Sequence, residues 1–266
     1  MSLEKSWRWF GANDPIKLNW IRQMEVQSIV TSLHHVPIGK VWKSDEIAAV
    51  KNKINPHGLK WNVVESLPVG EGIKTHSKEY SQLIENYILS MKALSENGIN
   101  KICYNFMPVL DWARTDLNYI LPSGGISMKF DYALFAAFDI HILERPNAVK
   151  DYDEKTLSNA EEIFSTLTQE QQHQLAHNII VVTQSFIHGN VNDSADFKSH
   201  FLDLLEKYSD IDRSQLRYNL KSFLDDILPF AEKYGIEMAI HPDDPPFSLL
   251  GLPRIASTTE DLDWDI

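Results

Sequence analysis

Cysteine is almost absent: Cys103 stands alone among 266 residues, so neither an internal disulfide framework nor a Cys-rich zinc module can be built. That usage fits a reducing cytoplasm. A basic surplus is missing as well, since 25 Lys and Arg against 37 Asp and Glu leave a formal net charge of −12. Binding a polyanion by counterion release requires a basic surface, so neither nucleic acid nor an anionic membrane is expected as partner. A small soluble substrate is, and a local cationic pocket for an acidic metabolite stays open. The start "MSLEKSWRWF" has no apolar core, and no window approaches the roughly 18 apolar residues of a membrane span. Neither export nor anchoring is therefore expected. Absent too are G-x-G-x-x-G, G-x-x-x-x-G-K-[ST], G-x-S-x-G, H-E-x-x-H and C-x-x-C, which removes the usual support for nucleotide-type folds, serine hydrolases, zincins and thioredoxin-type chemistry.

What the chain does have is a rhythm. "GLKWNVVESLP" (58 to 68), "GINKICYNFMP" (98 to 108) and "GIEMAIHPDDP" (235 to 245) each open with glycine, pass through a β-prone run, end on a polar residue and break at proline. Helical periodicity precedes two of these glycines: Tyr80, Leu83, Ile84, Tyr87, Ile88, Met91 and Leu94 before Gly98, and Leu216, Leu220, Phe223, Leu224, Ile227 and Ala231 before Gly235. Glycine sits where a helix C-cap belongs, and Pro229 marks an expected kink. "QSIVTSLHHVP" (27 to 37) reads as a strand ending at His34 and His35. "WRWFG" (7 to 11) reads as a first strand, with Asp14 and Pro15 as N-cap and first residue of a helix over Ile16, Trp20 and Met24.

Strands alternating with amphipathic helices predict an α/β fold with a parallel sheet, and the missing nucleotide motifs tilt it toward a (β/α)8 TIM barrel, whose strand ends converge on one site. The five strand candidates lie at about 7–11, 27–34, 61–66, 100–105 and 236–240. Residues 107–215 break the rhythm and read as a helical and hairpin insertion after the fourth strand, a cap inside a single domain over 1–266; "LNYILPSGGISMKF" is its hairpin. Ser257-x-x-Glu260 reads as a capping box opening a last helix. Five strands followed by a helix of so few residues lead to the expectation of a barrel truncated at its C-terminal side.

The strand ends carry Arg8, His34, His35, Glu65, Asn105 and His241. His241, fixed before "PDDPP", has the character of a metal ligand, the alternative being a structural histidine donating to a carbonyl. Asp243 and Asp244 either orient substrate or organise the turn, Asp243 being the better functional candidate. By strand alternation only one of His34 and His35 faces inward, and His35 is preferred. Glu65 on an apolar strand needs a partner, either substrate or a structural arginine. Arg114 in "DWARTD" has the fork to clamp a carboxylate, or belongs to a loop network with Asp111 and Asp116. Cys103 reads as a core residue. Polyol or sugar-acid chemistry at a divalent metal is what remains.

"WRWFGANDPI", "VTSLHHVPIGKVW", "CYNFMPVLDWARTDLNYILPSG" and "HPDDPPFSLLGLPRI" together resemble the mannonate dehydratase family of hexuronate (glucuronate) breakdown, along essentially the whole chain. The resemblance implies a xylose-isomerase-like TIM barrel and a cytoplasmic lyase, a homo-oligomer such as a dimer, that converts D-mannonate to 2-dehydro-3-deoxy-D-gluconate with Mn2+ or Fe2+. It makes His241 a metal ligand and Arg8, His35, Glu65, Asn105, Arg114 and Asp243 candidates for binding substrate. The family's other ligands, a Cys, a His and an Asp, and its catalytic groups would lie beyond Ile266. The expectation that follows is an inactive copy of the enzyme. A sugar isomerase or epimerase on the same barrel, or a non-catalytic remnant, are the rival expectations.

Overall fold

The computed structural model describes residues 3–183 and 196–264. They form two compact units, one running through Phe106 and resuming over Gln215–Pro242, the other made of Met107–Ser214 and Asp243–Trp264. The region 107–215, read from the sequence as an insertion within one domain, falls up to Ser214 in a unit that also holds residues 243–264, which the sequence reading left with the barrel. Residues 184–195 of that region lie outside the described residues.

The first unit holds a five-stranded parallel sheet, β1 (Ser6–Arg8), β2 (Ser28–Thr31), β3 (Lys60–Val64), β4 (Lys101–Tyr104) and, after β5 (Asp116–Ile120) and β6 (Ile126–Lys129) of the second unit, β7 (Glu237–Ile240). Spatial order follows chain order, β1-β2-β3-β4-β7, and every pairing is parallel. All five predicted strands are present but shorter than the sequence pattern drew them. The ladder of β2 stops at Thr31 because side chains take over its work: Thr31 Oγ1 donates to Trp9 O at 2.6 Å, and Ser32 Oγ both donates to Ser66 O at 2.9 Å and accepts from Ser66 N at 3.0 Å. His34 and His35 therefore lie in a turn, with Val36 N bonded to Leu33 O.

One face of this sheet is apolar and packed. Ile29, Val64, Ile102 and Tyr104 are buried, and Tyr104 and Phe106 meet Phe223 at ring separations of 5.7 and 5.8 Å. Phe223 also takes Tyr87 edge-on at 5.1 Å, so it joins the helices Tyr80–Glu96 and Arg213–Tyr234 to the strands. The second helix buries all the periodic residues expected of it and runs on through Pro229, while the first buries Tyr80, Ile84, Tyr87, Met91 and Leu94 and leaves Leu83 and Ile88 half-buried. Gly98 and Gly235 follow these helices with φ +72° and +65°, the left-handed conformation that glycine adopts without a Cβ penalty. The N–H of each next residue closes back on the helix, Ile99 to Leu94 O at 3.0 Å and Ile236 to Ala231 O at 2.8 Å.

Two local expectations change. Asp14 caps no helix: its carboxylate accepts from Phe10 N and Ile16 N, both at 2.8 Å, and the helix starts later, as Leu18–Gln23, burying Leu18 and Ile21 while Trp20 and Met24 stay exposed. A loop that satisfies the carboxylate locally has outcompeted the cap. The last helix, Thr259–Leu262, is capped by Thr258 with Asp261, one residue beyond the Ser257 and Glu260 pair, because Asp261 accepts from the N–H groups of both Ser257 and Thr258.

In the second unit β5 and β6 make the expected hairpin, and helices Tyr132–Ala137 and Glu154–Thr166 start at Asp131 and Asp153, whose carboxylates accept from Leu134 N and Thr156 N. Ala136, Ala137, Tyr152 and Ala160 form a small core with Leu157, Ile163 and Phe164 against it. Beside it Asp139, wholly buried, is gripped by Arg145 through bonds of 2.8 and 2.7 Å and by the Tyr152 hydroxyl at 2.8 Å, while Arg145 also reaches Asp151 at 2.6 Å. Gly251 is at φ +71°, and a Cβ there would stand 3.2 Å from Arg145 Nη1.

Candidate functional site

In the first unit the site follows from register. Arg8 pairs with Val30, Val30 with Val63, Val63 with Lys101 and Lys101 with Glu237. Side chains alternate along a strand, so Arg8, Glu65, Cys103, Asn105 and His241 all belong to the same face, the less buried one, toward the carboxyl ends of the strands. The side chains bear this out. Arg8 makes an ion pair with Glu65, and His241 Nε2 lies 2.9 Å from Glu65 O and 3.9 Å from Glu65 Oε1. A carbonyl can only accept, so Nε2 carries the proton in this arrangement and the lone pair is on Nδ1. The His241 backbone is anchored by its N–H on Tyr104 O at 2.7 Å.

The two histidines after β2 divide differently from the expectation. His35 turns outward, its ring mostly exposed and 3.5 Å from Glu46. His34 stacks beside Phe10 at 6.5 Å, and Phe10 lies under the Arg8 guanidinium at 4.8 Å. Although solvent reaches His34, partial desolvation first, then the Arg8 and His35 charges, hold its imidazole below its ordinary value, at about 4. Alternation does not decide between the pair because the strand has already ended. Asn105 is buried. Cys103, expected in the core, is only partly covered, and burial pushes its thiol up while Arg8 opposes the shift.

The second unit assembles a separate polar group from two loops. Arg114 grips Asp244 with both arms, Nη1 to Oδ1 at 2.9 Å and Nη2 to Oδ2 at 2.7 Å, and its guanidinium lies 5.3 Å from the centre of the Trp112 ring. Trp112 and Asp244 are bridged in parallel. Asp116 accepts from Asn118 N instead of joining Arg114. Asp243 is buried, and its Oδ2 accepts from Ala256 N at 2.7 Å and from Ser257 Oγ at 2.8 Å. That is the work of a carboxylate organising its turn, one of the two roles the sequence left open for it.

Arg254 went unnoticed in the sequence. It is 4% exposed, Nη1 donates to Leu110 O at 3.0 Å and stands 3.9 Å from Asp243 Oδ1. A signal existed: an arginine inside "LLGLPRIA" is a charge in an apolar run, and a buried charge requires a partner.

The fold and these groups define an α/β protein whose parallel strands carry an arginine, a carboxylate and an imidazole on one face of a sheet, toward the carboxyl ends of its strands. Residues 3–266 match the family described as D-mannonate dehydratase (UxuA). The chain belongs to that family. It is 43% identical over 262 residues to a mannonate dehydratase of Marinomonas sp. (strain MWYL1), covering 98% of this chain and 66% of the relative. It is 40% identical over 259 residues to a mannonate dehydratase of Saccharophagus degradans, covering 97% and 64%. The crystal structure of mannonate dehydratase from Streptococcus suis serotype 2 superposes with a TM-score of 0.72 at 31% identity, covering 99% of this chain and 60% of that one. The chain thus spans about two thirds of the length of the relatives it matches. Nothing in these matches supports the expected inactivity.

Proposed function

We propose that the protein dehydrates D-mannonate to 2-dehydro-3-deoxy-D-gluconate in hexuronate breakdown. The observation that carries the reading is the family match along residues 3–266, and the relatives at 43% and 40% identity, named mannonate dehydratases, support it. The sheet is read as an arc of a (β/α)8 barrel, since its five parallel strands progress in one direction, without the reversal about a switch point that marks a doubly wound sheet.

In this reading each unit is taken by itself: in the second, Arg114 has the fork for a carboxylate, which a substrate would take over from Asp244; in the first, Arg8, Glu65 and Asn105 are the groups suited to hydroxyls. Asp243 acts through the turn it organises. The reaction removes the proton at the carbon beside the carboxylate, expels the 3-hydroxyl as water with a proton from a general acid, and lets the enol relax to the keto acid. The resemblance makes His241 a ligand of Mn2+ or Fe2+. Among the described residues, however, no group of three or more His, Cys, Asp or Glu is placed to hold an ion, so these residues do not by themselves fit a divalent-metal centre and no step is routed through one.

The test is incubation of the purified chain with Mn2+ and D-mannonate, following the 2-keto-3-deoxy acid, with His241→Ala beside it. Formation of the keto acid, lost in the variant, is expected, and a parallel incubation without Mn2+ reads whether an ion is used. A ketose formed without loss of water would overturn the reading in favour of an isomerase, and absence of any product would overturn it for this chain. Sedimentation velocity on the same sample checks the expected dimer.

A further inference from the structure

The Arg114 and Asp244 pair does not hold itself in place. The two side chains are 21% and 44% exposed, and pairs so open to solvent contribute only about 0–1 kcal/mol. Behind them stands Arg254, buried, with Asp111, Asp243 and Asp244 as the charges that favour its ionised form against the desolvation that opposes it. One of its arms reaches both loops. Through Leu110 O it fixes the chain two residues before Trp112, and through Asp243 it faces the residue next to Asp244. Asp243 passes the constraint on, returning to the Arg254 loop through Ala256 N and Ser257 Oγ, while its own N–H bonds to Ala256 O at 3.0 Å. The Nε of Arg254 is buried with no hydrogen-bond partner among the described residues. Nε therefore adds no tie of its own, and the constraint runs through the terminal arm.

We propose that Arg254 is a positioning residue: by tying Leu110 and Asp243 to one buried cation it sets the two loops that hold the Arg114 fork against Asp244, the carboxylate whose place a substrate carboxylate would take. The proposal rests on the reading of Arg114 as the carboxylate clamp. It goes further in naming what gives the clamp its direction, a group that touches neither substrate nor Arg114. An arginine cannot shed its charge at working pH, so the tie holds across the whole range in which the enzyme operates.

The experiment compares wild type, Arg254→Met, Arg254→Lys and, as a destabilised control remote in sequence, Phe223→Leu in the first unit. Two readouts are taken on each full chain: the KM and kcat for D-mannonate, and amide hydrogen exchange over residues 110–114 and at Ala256. Arg254→Met is expected to raise KM about tenfold with kcat within about twofold, the pattern of lost binding that is uniform through the reaction. Exchange over 110–114 and at Ala256 should quicken by about tenfold or more. Arg254→Lys, which keeps the charge on a single point, should recover part of both. Phe223→Leu should lower stability and move neither. An unchanged KM in Arg254→Met, or an equal rise in Phe223→Leu, overturns the proposal. If wild type yields no keto acid, the dehydratase reading fails, and exchange then decides alone: acceleration over 110–114 in Arg254→Met but not in Phe223→Leu upholds the tie, and unaltered exchange there removes it.

Discussion

In the sheet unit Arg8, Glu65 and His241 are brought together by strand register, whereas in the second unit Arg114, Asp244 and Arg254 are brought together by loops whose polar atoms bond one another. The first arrangement borrows its rigidity. Backbone ladders and the aromatic contacts around Phe223 fix where each strand ends, and the side chains need only be of the right type. The second has to make its own, and does so with a buried arginine, a buried aspartate and a bidentate pair. A ladder tolerates loss of one polar partner better than a loop cluster does, because most of what orders the ladder is apolar burial.

The comparison can be broken at either end. Phe223→Ala should be the most damaging single change, about 3–5 kcal/mol off the stability of the sheet unit, since it empties a fully buried site shared by Tyr87, Tyr104 and Phe106. Urea unfolding followed by far-ultraviolet circular dichroism measures it. Asp139→Asn should cost the second unit roughly 3 kcal/mol, because Arg145 would keep its charge and lose the buried carboxylate that answers it. The same titration, read from amide exchange in the Glu154–Thr166 helix, separates this loss from that of Phe223→Ala.

Smaller changes sharpen the contrast. Arg114→Lys replaces a planar fork with a point charge; under the proposed function it should weaken D-mannonate binding about tenfold, near 1.4 kcal/mol, in isothermal calorimetry, and a change within error would remove Arg114 from the proposed site. Thr258→Ala removes the cap that accepts from Asp261 N and should lower thermal stability by about 1 kcal/mol. The least effect belongs to His34. Its folded value, about 4, lies below the ordinary 6.5, so the fold favours the neutral ring. That contribution is present above pH 6.5 and is lost as pH falls from there through about 4. Solvent access keeps it small, and a stability profile of His34→Gln should be flatter than wild type across that window only.

What the sequence made legible follows the same division. Five strands, two long helices and their closing glycines were readable because periodicity and glycine placement report backbone geometry directly, and Glu65 and His241 came with them as strand ends. His35 was preferred over His34 because alternation was extended past Thr31, where Ser32 had already replaced the ladder with side-chain bonds. Asp14 and Ser257 were read as caps from local spacing, and in both places a carboxylate satisfied several N–H groups at once and shifted the helix start. Arg254 could be seen only as an oddity, since what it binds is a carbonyl and a carboxylate far earlier and slightly earlier in the chain, and pairing across such distances leaves no period to read.

Gly251 gives the second unit a limit on its own evolution. Its left-handed backbone and the Arg145 Nη1 atom 3.2 Å from where a methyl group would sit mean that a mutation at 251 collides with a charge network made by residues 139 to 152. Drift at that turn therefore meets two separate obstacles, the backbone angle and the Arg145 contact, and a scan of all substitutions should find position 251 restrictive even after Arg145 has been shortened, since the φ penalty remains.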